Sequence, residues 1–236
     1  MDLAKAIAFG ALHTDVSMEK FLTYEVSTEG LSMLPVVTVP TNPMSGSETN
    51  ADVQITLDER GLQVGCGVGK AVFTWLSPDY LLSLPDHILA YGQMTAFVQL
   101  SINYLNPTRS PLAEHYAEAP MKTIPECLRR SLADQNDTDA RGTLLLNSAL
   151  SLSGINDLGR EEEFAPYPLQ SYAQRYLGLD YPHALSKLFP YRLKKRNVPA
   201  GGAGCSASTL SGIRHCLYLW RACRRPAESY EAGRDH

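Results

Sequence analysis

The sequence predicts an α+β chain in three parts: a mixed α and β stretch over residues 1–80, an all-helical stretch over 81–195, and a tail, 196–236, expected to be disordered. Three observations predict it. Alternating and β-branched runs are confined to the first 80 residues, apolar residues recur at three and four from Ile88 onward, and the pattern dissolves at Asn197. With 236 residues, 44% hydrophobic and 19% charged, the chain is large enough for a sizeable core, which excludes collagen, a disulfide scaffold and wholesale disorder.

The elements follow in order. Met1 to Leu12 places Leu3, Ile7 and Leu12 near helical spacing, and Gly10 and Thr14 end a short helix. Pro35-Val36-Val37-Thr38-Val39-Pro40 is a β-branched run bracketed by prolines, the profile of a short buried strand. Alternation at Val53, Ile55 and Leu57, a turn at Asp58 to Gly61, and Leu62, Val64 and Cys66 predict a hairpin. After Pro85 the period changes. Ile88, Leu89, Tyr91, Met94, Phe97, Val98, Ile102 and Leu105 mark a buried amphipathic helix that Asn106-Pro107 ends. A second helix covers Pro111 to about Ala133, and Pro120 and Pro125 are expected to break it into pieces. A third, from Asp137 to about Gly154, carries Leu144, Leu145, Ala149, Leu150 and Leu152 and is expected to be the most buried of the set. Tyr167 to Leu177 and Ala184 to Leu188 give two shorter ones.

Charge and cysteine usage narrow the function classes. The net charge of −4 hides a split: nine basic and three acidic residues from Arg192 onward give +6, against twelve and twenty-two before it, −10. The basic clusters at Arg192 to Arg196 and Arg221 to Arg225 sit in a Cys-, Gly- and Ser-rich stretch better explained by a shifted reading frame than by a nucleic-acid site, so no nucleic-acid partner is expected. Five cysteines, Cys66, Cys127, Cys205, Cys216 and Cys223, include no CxxC pair, which fits a reduced cytoplasmic setting. No apolar run approaches the roughly 20 residues a membrane span needs, and the Ala6–Leu12 run behind Asp2 is too short for a signal-peptide core.

The most informative stretch is Thr38-Val39-Pro40-Thr41-Asn42-Pro43-Met44-Ser45-Gly46-Ser47-Glu48-Thr49-Asn50. A strand runs into a hydroxyl-rich turn where Gly46 lets the backbone approach a ligand, and hydroxyls and amides suit phosphate or ribose. Composition alone makes it a polar loop. The order of residues resembles the cofactor loop of the iron-containing, or group III metal-dependent, alcohol dehydrogenases, nearest their butanol-dehydrogenase and aldehyde-reductase branch. The resemblance continues through Leu76-Ser77-Pro78, the helix from Ile88, the helix from Leu144 to Ile155 and Gly178-Leu179-Asp180, covering about residues 1–195. Asp2 and Lys5 fall where that family has the Asp and Lys that follow its glycine-rich turn.

The resemblance implies the remnant of an N-terminal α/β nucleotide-binding domain, then an all-α domain that holds iron or zinc. It also implies hydride transfer between NAD(P) and a primary alcohol or aldehyde. On this reading Asp2, Lys5, Thr38, Thr41, Ser47 and Asn50 are the cofactor-binding residues. Three departures set limits. The chain starts just after the family's glycine-rich turn, so it is expected to be truncated. The family's metal ligands, an Asp and a His four apart and two His fourteen apart, are matched by Thr95, Gln99, Tyr167 and Tyr181, poor donors for a divalent ion. Gln63 stands where the family has a cofactor-contacting lysine. His183 is expected to be a surface or capping residue rather than a substitute ligand, and His13, His87 and His115 to be ordinary side chains.

Two functions stay open: an active NAD(P)-dependent alcohol or aldehyde oxidoreductase, and a catalytically silent homologue. The second predicts no catalytic residue, no tightly held metal or NAD(P), and as partner a second copy or a full-length relative. A gene remnant is the remaining version of it.

Overall fold

The computed structural model describes residues 1–57, 62–106, 108–160 and 166–195; the expectations for the 58–61 turn, Pro107 and the 196–236 tail lie outside the described residues. Two helices come first, α1 (Asp2–Gly10) and α2 (Met18–Leu22), then four strands, β1 (Val37–Thr38), β2 (Asp52–Leu57), β3 (Leu62–Gly67) and β4 (Phe73–Thr74). Five helices follow: α3 (Asp86–Tyr104), α4 (Pro111–Ala133), α5 (Thr138–Leu150), α6 (Pro166–Leu177) and α7 (Tyr181–Lys195).

The hairpin forms as its alternation dictates. β2 and β3 pair antiparallel with Val53 opposite Cys66 and Ile55 opposite Val64, and their inward side chains join Phe9, Phe21 and Leu22 in one apolar cluster. The Phe9 and Phe21 rings meet edge-on at 5.0 Å. Helix α1 is present, but its buried face is Lys5, Ala6 and Phe9. Leu3 and Ile7, which set the apparent spacing, are 64% and 63% exposed. Phe9 offers the larger apolar surface and takes the hairpin side, while Lys5 can be buried because oxygens surround its ammonium.

β1 and β4 form a separate two-stranded parallel pair, Val37 beside Phe73 and Thr38 beside Thr74. The proline-bracketed run was expected to be buried. Only one side of it is: Thr38 and Val36 are inside, whereas Val37, Val39 and Phe73 are exposed, because no further strand or helix among the described residues covers that face.

The helical stretch closes around α3, which is buried almost all round from Leu89 to Tyr104 rather than along one stripe. α4, α5 and α7 all pack against it, and Phe97, Leu100, Ile102, Met121, Ile124 and Phe189 lie in its main cluster. α3, not α5, is therefore the most buried helix. α4 runs unbroken through Pro120 and Pro125; packing between α3 and α5 outweighs the backbone hydrogen bonds the two prolines cannot donate. α5 starts at Thr138, just after the expected Asp137, whose carboxylate caps it by accepting from Ala140 N at 2.9 Å. That bond and the Arg130 guanidinium hold the Asp137 carboxyl below its ordinary range. Among the described residues, no helix is long and apolar enough to cross a membrane.

Candidate functional site

The loop from Thr41 to Asn50 lies between α1, α3 and the end of α5, and its polar atoms face mostly inward. Lys5, fully buried, drives its ammonium into the loop and sits 2.6 Å from Asp52 O, 2.9 Å from Ser47 O, 3.1 Å from Asn50 Oδ1 and 3.3 Å from Asn50 O. Burial lowers its affinity for a proton, and Asp2, Asp52 and Glu48 oppose that shift. Asp2 accepts from the Ser47 hydroxyl with one oxygen and from Gln54 N at 2.9 Å with the other. The Thr74 hydroxyl donates to Glu48 O at 3.3 Å, so Thr38, 2.8 Å from it, must donate to Thr74. Of the six residues implied to bind a cofactor, Asp2, Lys5, Thr38, Ser47 and Asn50 are brought together with their polar atoms engaged inside the fold. Thr41 is the exposed one.

The close backbone approach expected of Gly46 is real, but its target is protein. Gly46 has φ +67°, and a Cβ there would lie 2.9 Å from Ser151 Oγ and 3.0 Å from Ser148 O. Thr49 donates to Ala149 O from the same loop. On the α3 side a Cβ at Gly92 would meet Pro43 O at 2.5 Å. Buried Gln93 donates to Pro43 O at 3.2 Å and to Leu144 O at 3.1 Å.

The positions that match the family's metal ligands converge only in part. Gln99 and Tyr181 meet: Gln99 Nε2 is 3.3 Å from the Tyr181 hydroxyl and 3.3 Å from Ser45 O, while Gln99 Oε1 accepts from Ser151 Oγ at 2.7 Å. Thr95 turns its hydroxyl back on its own helix, donating to Tyr91 O at 2.9 Å. Tyr167 packs against the α3 cluster. The donor chemistry does not fit a divalent ion. An amide nitrogen has no lone pair to give, and the Tyr181 phenol, pushed up to about 12 by burial, stays protonated at neutral pH. Among the described residues, no group of three or more His, Cys, Asp or Glu side chains is arranged to hold one.

Asp180, not His183, caps α7: its Oδ1 accepts from His183 N at 3.1 Å, and the half-buried His183 ring lies against Tyr91 at 4.4 Å. Gln63 sits within β3, opposite Thr56. Reading the sequence alone missed Glu48, 2% exposed, with a carboxyl that burial pushes up despite Lys5 nearby, and it missed Gln93. The signal for Gln93 is an amide set among the apolar residues of α3, as Gln99 and Asn103 also are.

No family model matches the chain. It is 26% identical over 193 residues to a probable NADH-dependent butanol dehydrogenase of Bacillus subtilis, covering 80% of this chain and 49% of that protein. It is 26% identical over 162 residues to the NADPH-dependent aldehyde reductase YqhD of Escherichia coli, covering 67% and 42%. The chain thus spans about half the length of the curated relatives it matches. Among solved structures, NADH-dependent butanol dehydrogenase A of Thermotoga maritima superposes with a TM-score of 0.82 at 22% identity, covering 95% of this chain and 60% of that one. An iron-containing alcohol dehydrogenase superposes with 0.75 at 21% identity, covering 96% and 62%. The mixed helix and sheet described above is a part of that shared fold.

Proposed function

From homologues and structural neighbours that are iron-containing alcohol dehydrogenases and aldehyde reductases, we propose that this chain keeps part of their scaffold without metal-assisted hydride transfer. It is a catalytically silent homologue of NAD(P)-dependent oxidoreductases. The observation that carries this reading is the Gln99 environment. At two of the four ligand positions the side chains are bonded to each other and to Ser45 and Ser151, and a third, Thr95, is bonded to its own helix. A metal in the relatives' position would polarise the alcohol or aldehyde oxygen; these groups carry no charge, and the oxygens of Gln99 and Tyr181 already accept hydrogen bonds within the protein. The cofactor loop supports the same reading, since five of its six implied contacts already have partners within the protein. A retained role is then in assembly, with a second copy or a full-length relative, through the exposed Val37, Phe73 and Trp75.

The test is NAD(P)H oxidation with short-chain aldehydes in iron- and zinc-supplemented assays, alongside metal analysis and calorimetric NAD(P)H titration. No turnover and no stoichiometric metal are expected. Turnover, or one equivalent of iron or zinc, overturns the reading.

A further inference from the structure

We infer that Gln93 and Gln99 form a metal-independent clamp that fixes the 41–50 loop in the fold, Gln99 standing at a position the resemblance gives to a metal ligand. This rests on the reading above that no metal occupies these positions. Both side chains are fully buried on α3, and both spend their amide N–H groups bridging the loop to another helix. Gln93 joins Pro43 O to Leu144 O of α5, at 3.2 and 3.1 Å. Gln99 joins Ser45 O to the Tyr181 hydroxyl at the start of α7, both at 3.3 Å, and its oxygen takes the Ser151 hydroxyl just past α5.

The stoichiometry suits the task. A primary amide has two N–H donors in fixed directions, and each glutamine meets two acceptors with them. One ion held by four ligands draws the same kind of elements together by charge and works only when loaded. Two amides do it permanently, and in a buried setting, where each orphaned partner is costly, they do it firmly. Close packing completes the clamp, since neither Gly92 against Pro43 nor Gly46 against Ser151 leaves room for a methyl group.

The experiment is thermal unfolding of the full chain and of Gln99→Met, Gln93→Met and the double variant, each with EDTA, with zinc and with neither. Methionine keeps the length and removes the hydrogen bonds. Each single variant is expected to lower the midpoint by about 3–10 °C and to speed protease cleavage within residues 41–50, while EDTA and zinc leave every midpoint unchanged. An unaltered midpoint and unaltered cleavage in Gln99→Met overturn the clamp. If the variants fail to fold, hydrogen exchange of the glutamine side-chain amides in the parent chain decides: two protected amide groups support the clamp, and rapid exchange overturns it. Aldehyde turnover that survives EDTA would sink the silent-homologue reading and leave the clamp standing. A midpoint that falls with EDTA sinks both.

Discussion

Helix α3 and the β1–β4 pair treat apolar residues in opposite ways. α3 is enclosed by α4, α5 and α7, so that even Gln93, Thr95, Gln99 and Ser101 are buried. The parallel pair leaves Val37, Val39, Phe73 and Trp75 exposed. Parallel strands are ordinarily covered on both faces, and two strands alone are marginal. The helical region therefore owes its form to its own packing. The pair is held chiefly from its inner side, by the Thr38–Thr74 hydroxyl bond and the link to Glu48. Similar apolar content teaches little about stability until what covers it is known.

The largest test of this contrast compares two phenylalanines. Phe97→Ala, at a fully buried site in the α3 cluster, is expected to cost about 3–5 kcal/mol in urea unfolding, whereas Phe73→Ala, 52% exposed, should stay within about 0.5 kcal/mol. Equal losses would mean that the pair is as integral as the helices. Next comes Lys5→Met, which leaves the oxygens of Ser47, Asn50 and Asp52 without their cation; about 3 kcal/mol of destabilisation is expected from urea midpoints. A small loss there would show that the N-terminal half does not depend on the buried ammonium.

Two smaller effects appear as pH dependence. The Tyr181 phenol, near 12 in the fold and near 10 when unfolded, keeps its proton longer in the native state. Stability should therefore fall as pH rises from about 10 to about 12, and urea midpoints of Tyr181→Phe should lack that component. Glu48 is raised by burial, so the native state also binds its proton more strongly. Stability from this group is greatest below the ordinary carboxylate range and declines as pH climbs above it. Glu48→Gln should then be more stable than the parent at pH 7, with the gap closing towards pH 4. A gap that widens in acid would reverse the assignment.

Much of this was legible in residue order. The three- and four-residue spacing located α3, the apolar run from Leu144 to Leu152 located α5, and alternation located the hairpin. The orientation of α1 was not legible, because Leu3 and Ile7 are as apolar as Phe9 and only the position of the hairpin decides which side is buried. Continuity of α4 was hidden because proline propensity is local and the packing that overrides it is not. α2 and β4, of five and two residues, are too short to carry a period. At the candidate site the likeness of the 38–50 stretch identified the loop, but what its atoms touch depends on partners 26 to 100 residues away.

On the silent-homologue reading, Gln99 also governs how easily such a chain could turn back. Placing an imidazole at that one position would strip Ser45, Ser151 and Tyr181 of a shared partner before any ion had enough ligands to replace it. Intermediates on the way to a restored centre would thus fold worse than either endpoint, making the present arrangement a ratchet that single substitutions do not readily undo.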